Sequence, residues 1–253
     1  MTVVALAGIT GLGLLAGVLI GAVGIGGVIL VPALAYLAGY SVHTAIPAAM
    51  AAYIVAGAIG TFAYWRAGSV PWTMAGPLFL GAMPAAIAGA IASTAAPSAV
   101  LEMSIGILTA VSGLNTWRDS SREADRPSVS LTRQQLTLAG AFTGFSSSLT
   151  GTGGPLVLVP ILMWLKCPVL ASVGLAQVVQ LPIALLATIA NMWSGTVDAR
   201  LAACLALGMA LGTWVGAKIA HAVPRQTLRL MIAVILGVVG VVILLKTAGR
   251  LMT

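Results

Sequence analysis

The stretch GAVGIGGVILVP, Gly21 to Pro32, decides the fold together with its echo LTGTGGPLVLVP, Leu149 to Pro160. In each, glycines interrupt an apolar run (Gly24, Gly26 and Gly27; Gly151, Gly153 and Gly154), and a second apolar run ends in Pro32 or Pro160. Glycine breaks a helix at little steric cost and lets backbone come close to a neighbour or a ligand. Non-helical backbone at membrane depth survives only where it is buried in protein or lines a cavity. Each motif therefore predicts an unwound turn feeding a fresh helix N-terminus, at Val28 and at Pro155. Proline at a first helical position suits such a start. A helix N-terminus offers free N–H groups and partial positive charge, which makes it an anion site.

The surroundings of the motifs are those of a membrane protein. Of 253 residues, 60% are apolar and 7% charged, 30 are glycine, and mean hydropathy is +1.09. A soluble domain carries about 25% charged residues, and this chain has too few to face water. Soluble enzymes, nucleic-acid-binding domains, disordered chains and disulfide scaffolds are thereby excluded. The formal charge of +7 has no basic cluster behind it, and in a membrane protein basic residues report topology. Cys167 and Cys204 lie in apolar stretches without a CxxC partner, so neither a disulfide nor a metal site is expected. The apolar first twenty residues have no charged leader and read as a retained helix.

Apolar segments fall at 3–22, 28–39, 43–65, 71–93, 97–117, 134–150, 155–166, 169–193, 199–220 and 225–246. The fold class is an all-α polytopic membrane protein of two homologous repeats, 1–117 and 134–253, each of four to five segments. The hydrophilic stretch 118–133, RDSSREADRPSVSLTR, joins them. A constant offset of 127 pairs Gly24, Gly26 and Gly27 with Gly151, Gly153 and Gly154, Gly68 with Gly195, Gly81 with Gly208, Gly89 with Gly216 and Pro97 with Pro224. Pro32 and Pro160 are one residue out of that register. Internal repeats of this kind mark secondary transporters. If 3–39 is one broken pass, the halves are parallel; if the motif turns the chain back, they are inverted. The positive-inside balance favours inversion, and so does the opening segment, about 55 Å long as helix against a bilayer core of about 30 Å.

GxGGxxxxP recurring in two halves of a chain this long resembles the TauE/SafE sulfite exporter family, also called the toluene-sulfonate uptake permeases. The resemblance covers nearly the whole chain. It implies transport of a small sulfur-containing anion such as sulfite, thiosulfate or an organosulfonate across the bacterial inner membrane. By position, Gly24, Gly26, Gly27 and Pro32 match the first family motif, and Gly151, Gly153, Gly154 and Pro160 the second. A Thr-Ser pair frequent in the family stands here as Ala48-Ala49, and the matching place in the second half is Ala176-Gln177.

After the second motif, Gln177, Gln180, Thr188 and Asn191 fall within about an 80° arc of one helix. Such a stripe is either a wall of hydrogen-bond donors for an anion or glue between helices. Its expected first-half counterparts, Ala49 and Ala52, are apolar. The Thr152 hydroxyl either donates to an anion, the reading favoured here, or caps the broken helix, with Val28, Pro155 and the motif glycines supplying backbone. Glu102 and Arg229 snorkel at helix ends, Lys166 is read as interfacial over a role in drawing anions, and His43 is either structural or takes a proton-linked role.

These residues point to a secondary transporter without cofactor, its anion held near the midplane by paired helix N-termini. Alternatives are a permease or channel for another small anion such as a carboxylate, and a non-transporting scaffold subunit. An intramembrane enzyme would need a nucleophile–base pair or metal ligands, and HExxH, GxSxG and GxxxxGK[ST] are all absent. The expected partners are the anion, the bilayer and, through Gly/Ala-rich outer helices, a second copy of the chain, with no nucleic acid.

Overall fold

The computed structural model describes residues 3–101, 103–105, 107, 111, 131–224, 226–228, 230–231, 233–234, 237–238 and 241. The linker 118–133 up to residue 130, together with Glu102 and Arg229, lies outside them. Eight helices are bounded: α1 (Val3–Val23), α2 (Gly27–Tyr36), α3 (Val42–Arg66), α4 (Trp72–Ala95), α5 (Arg133–Thr150), α6 (Pro155–Trp164), α7 (Val169–Trp193) and α8 (Ala199–Ala222). Five of them (α1, α3, α4, α7 and α8) are long and apolar enough to cross a membrane. Helix α5 has 18 residues, about 27 Å, but is more polar, with Ser146, Ser147 and Ser148 all buried near its end. Helices α2 and α6 have ten residues each, half a crossing. Both glycine motifs break helix, and α2 starts at Gly27, one residue before the expected Val28.

Close approach at glycines gives the helix directions. A Cβ on Gly13 would stand 2.6 Å from the Leu205 carbonyl, and one on Gly17 would stand 2.8 Å from the Met209 Cα. The numbers rise together, so α1 and α8 run parallel. Helices α4 and α5 are likewise parallel, with Gly140 against the Leu78 carbonyl and Gly144 against the Ala82 carbonyl. Helices α3 and α7 oppose each other, Gly57 meeting Leu181 and Gly60 meeting Gln177. Exchanging the halves maps α1·α8 onto α5·α4, α3·α8 onto α7·α4, and α2·α3 onto α6·α7, and every one of these pairs is in contact. Since α3 and α7 exchange with each other while antiparallel, the exchange axis lies across the helices.

Helix ends place the one-residue slip. α1 and α5, α3 and α7, and α4 and α8 end in register at 127, whereas α2 and α6 are related by 128. The extra residue sits in the second glycine break, and the following loop gives it back. Two expectations change accordingly: the counterparts of Gln177 and Gln180 are Met50 and Tyr53, not Ala49 and Ala52.

The surface helix starts are capped in ordinary ways. Ser41 caps α3, a Thr132–Gln135 capping box starts α5, and Asp198 accepts from the amides of Arg200 and Leu201 at α8. Lys166 is the one non-glycine residue with positive φ among the described residues (66°), where the first half has Gly39 (73°). An L-residue there costs about 1–2 kcal/mol. Lys166→Gly is accordingly expected to raise the unfolding midpoint in detergent, and a fall would show that the lysine side chain outweighs its backbone strain.

Candidate functional site at the two helix breaks

The breaks meet each other in the protein's interior. Gly24 and Gly151, equivalent by repeat, hold φ of 79° and 69°, a left-handed turn that favours glycine. A Cβ on Gly24 would lie 2.9 Å from Pro155 Cβ, and one on Gly27 would overlap the Thr152 carbonyl. The residues from Gly24 to Val28 and from Gly151 to Pro155 are all buried. The two half-helices thus begin side by side, each start against the other's turn.

These starts differ from those at the surface. Neither α2 nor α6 has a side-chain cap. The amides of Gly26, Gly27, Thr152, Gly153 and Gly154 make no hydrogen bond among the described residues. A buried helix start without partners is uncommon, because each unpaired polar group costs about 1–3 kcal/mol. Five such donors within two touching turns form an electropositive nest suited to an anion.

Tyr53, which the pattern reading missed, lies between the breaks. Its ring packs on Gly153, 3.3 Å from where a Cβ would stand, and its hydroxyl lies 2.9 Å from the corresponding point on Gly27. That hydroxyl is fully buried and has no hydrogen-bond partner among the described residues. The Gln180 Nε2 donates to the Tyr53 carbonyl at 3.3 Å, and Gln180 also packs on Gly154. Tyr53 and Gln180 are equivalent residues in contact, so they sit at the exchange axis, each beside a helix start. The 127 offset applied to Gln180 was the available signal for Tyr53.

The polar stripe on α7 divides. The Gln177 Nε2 donates to the Ile20 carbonyl at 2.6 Å, and the Tyr64 hydroxyl donates to the neighbouring Gly21 carbonyl at 2.9 Å. Both reach carbonyls near the end of α1, that of Ile20 also accepting from the Gly24 amide at 2.9 Å, so Gln177 serves as a tie between helices, with its Oε1 buried and unpartnered among the described residues. Asn191, the counterpart of Tyr64, is fully buried with neither side-chain atom partnered. Thr188 is buried and unpartnered as well.

Thr152 reverses its expected use. Thr150 donates to the Ser146 carbonyl at 2.6 Å, which turns the Thr152 hydroxyl proton to Thr150 at 2.9 Å. The hydroxyl is committed, and what Thr152 leaves free is its amide. Ser147 pins the turn from the other side by donating to the Gly153 carbonyl at 3.1 Å. Pro32 and Pro160 lie inside α2 and α6 rather than ending them. His43 lies in the first turn of α3. It lines a cavity of about 140 Å³ with Ser93, Thr94 and Thr196, and Ile46 on the floor of that cavity packs against Gly151.

Comparison with known proteins places the chain among membrane transporters by sequence. Residues 9–243 match the model of the family described as sulfite exporter TauE/SafE. A probable membrane transporter protein of Sinorhizobium fredii is 29% identical over 132 residues, 51% of this chain and 52% of that protein. Another, from Methanocaldococcus jannaschii, is 31% identical over 118 residues, 43% of this chain and 44% of that one. The chain thus aligns with about half the length of these curated relatives. No solved structure matches it. With its glycine-broken half-helices inside a multi-pass helical membrane protein, and a match that runs over nearly its whole length, the chain belongs to the sulfite exporter TauE/SafE family.

Proposed function

We propose that this protein is a secondary transporter for a small sulfur-containing anion, such as sulfite, thiosulfate or an organosulfonate, in a bacterial inner membrane. The observation that carries the reading is the pair of buried, uncapped helix starts in contact, with unpaired amides and the orphan Tyr53 hydroxyl between them. Amides and a phenol recognise an oxyanion without a fixed cation, so the anion is held by dipoles and is not trapped by an ion pair. The family's name supplies the sulfur; the site supplies the preference for negative charge.

In this conformation the turns are in van der Waals contact, so the anion reaches the amides only when the two breaks part. Opposed halves around an axis across the helices suit such a cycle, each break opening toward its own face. Among the described residues Arg66, Arg133, Lys166 and Lys218 stand at the end of the bundle where α3 and α8 finish, and Asp198 and Arg200 at the other. By the positive-inside rule the first end is cytoplasmic.

Thermal unfolding of the detergent-purified protein against sulfite, thiosulfate, sulfoacetate, acetate and chloride at matched ionic strength tests the reading. A ligand at a hundred times its Kd stabilises the folded state by about 2.7 kcal/mol. A rise in midpoint confined to sulfur anions, and reduced in Tyr53→Phe, is expected. A rise with acetate alone would keep the site and discard the substrate class. An undiminished sulfur-anion shift in Tyr53→Phe would remove that hydroxyl from the site.

A further inference from the structure

A second site lies at the cytoplasmic end, away from the helix breaks. The C-terminal turns of α3 and α8 enclose a cleft of about 630 Å³ floored by Ala63 and Ala217 and flanked by Arg66, Lys218 and Trp214. No carboxylate lines it, and neither Arg66 nor Lys218 has an ion-pair partner among the described residues. The Lys218 Nζ stands 5.4 Å from the Trp214 ring centroid.

The cleft faces outward and is sealed from the centre. Phe62 stacks on Trp214 at 6.2 Å beneath it, and both are exposed on the bilayer side, as is Trp65. On its inner side the Tyr64 ring is fully buried, tied to the Gly21 carbonyl and packed 4.8 Å from the His221 ring. Both His221 nitrogens are occupied, Nε2 with the Ser69 hydroxyl at 3.0 Å and Nδ1 with the Ala217 carbonyl at 2.7 Å. His221 and Tyr64 therefore wall off the glycine turns. Arg66 and Lys218 belong to a pocket that opens toward lipid.

The geometry points to a binding site for the headgroup of an anionic phospholipid. The phosphate would meet the Arg66 guanidinium and the Lys218 ammonium, and the first acyl methylenes would lie over Ala63 and Ala217 beside the aromatic pair. Cationic pockets between helices on the cytoplasmic side recognise lipid headgroups through this chemistry, and aromatic side chains mark the same depth. The equivalent place at the other end has no such charge, since the counterparts of Arg66, Lys218 and His221 are Trp193, Ile91 and Thr94. The lipid site is thus a property of one face, and it stands whether or not the central breaks carry a sulfur anion.

Native mass spectrometry of the full chain tests this directly, with phosphatidylglycerol and phosphatidylcholine of identical chains at equal concentration. Two basic groups at the membrane surface give a preference for the anionic lipid of about tenfold or more. That preference is expected in the wild type and lost in Arg66→Gln/Lys218→Gln. Ala63→Leu, which keeps both charges and fills the floor, should also lose retained phosphatidylglycerol, and it decides the matter should the double variant fail to fold. Equal retention of both lipids, or a preference that survives in the folded double variant, would overturn the site. Displacement of phosphatidylglycerol by an equal concentration of inorganic phosphate would make it a site for free anions and overturn the lipid assignment.

Discussion

Gly27→Ala is expected to leave the protein inserted in the membrane and to lower anion flux into liposomes. The added Cβ would overlap the Thr152 carbonyl and stand 2.9 Å from the Tyr53 hydroxyl. Neither neighbour yields easily, since the carbonyl belongs to a turn pinned by Ser147 and the hydroxyl is on a ring wedged against Gly153. Overpacking of this kind costs about 1–3 kcal/mol. Here the cost falls on the conformation in which the two breaks touch, so the equilibrium between open and closed forms shifts roughly 5- to 150-fold. In the proposed cycle transport requires passage through that conformation, whereas binding to a parted site does not. The variant should therefore keep an anion-induced rise in unfolding midpoint while its flux falls by about tenfold or more. Gly11→Ala is the control, because nothing lies within 4 Å of its Cβ position. Wild-type flux in Gly27→Ala would show that contact between the breaks is no part of the cycle.

What could be read in advance follows from the range of the forces involved. For the eight bounded helices, segment limits were legible to within three residues because apolar length, proline and glycine act within a few positions along the chain. Helices α7 and α3 run 169–193 and 42–66, where apolar stretches at 169–193 and 43–65 are apparent in the sequence. The two interruptions were legible for the same reason. Partners far apart in sequence were not. Gln177 belongs to a polar stripe on any helical wheel, yet its amide is spent on a carbonyl 157 residues away, and no local pattern names that carbonyl. Thr152 next to a glycine turn reads as a free hydroxyl until Thr150 is seen to take its proton. Tyr53 is an aromatic residue in an apolar helix, the least informative setting for a polar atom. It emerges only because α3 and α7 cross at equivalent positions, and the slip at Pro32 and Pro160, carried past α2, had assigned Gln180 to Ala52 instead. The regular use of glycine across helix pairs was visible only as repeat matches, since the same spacing serves lipid-facing and protein-facing positions alike.

That glycine spacing carries the second large effect. In α1, Gly13, Gly17 and Gly21 recur every fourth residue and meet Leu205, Met209 and Thr213 of α8; in return Gly208, Gly212 and Gly216 meet the carbonyls of Thr10, Leu14 and Val18. Small residues at this interval let two helix backbones touch, and in a membrane close packing replaces the hydrophobic effect as the force joining helices. Gly17→Leu would put a side chain where Met209 Cα lies 2.8 Å away and the Thr213 amide 3.0 Å away. Backbone has no alternative rotamer, so the helices must separate along their length. Separation also withdraws the Ile20 and Gly21 carbonyls from Gln177 and Tyr64, and with them the first glycine break. Gly17→Leu and Gly212→Leu should therefore yield little folded protein in detergent. Gly8→Leu and Gly11→Leu on the same helix, with nothing within 4 Å, should unfold near the wild-type midpoint. If Gly17→Leu is recovered with an unchanged midpoint, the contact between α1 and α8 is not what holds the first break in place. Its loss together with intact Gly11→Leu would locate the stability of the two half-helix starts in a parallel helix pair that lies outside the proposed anion site.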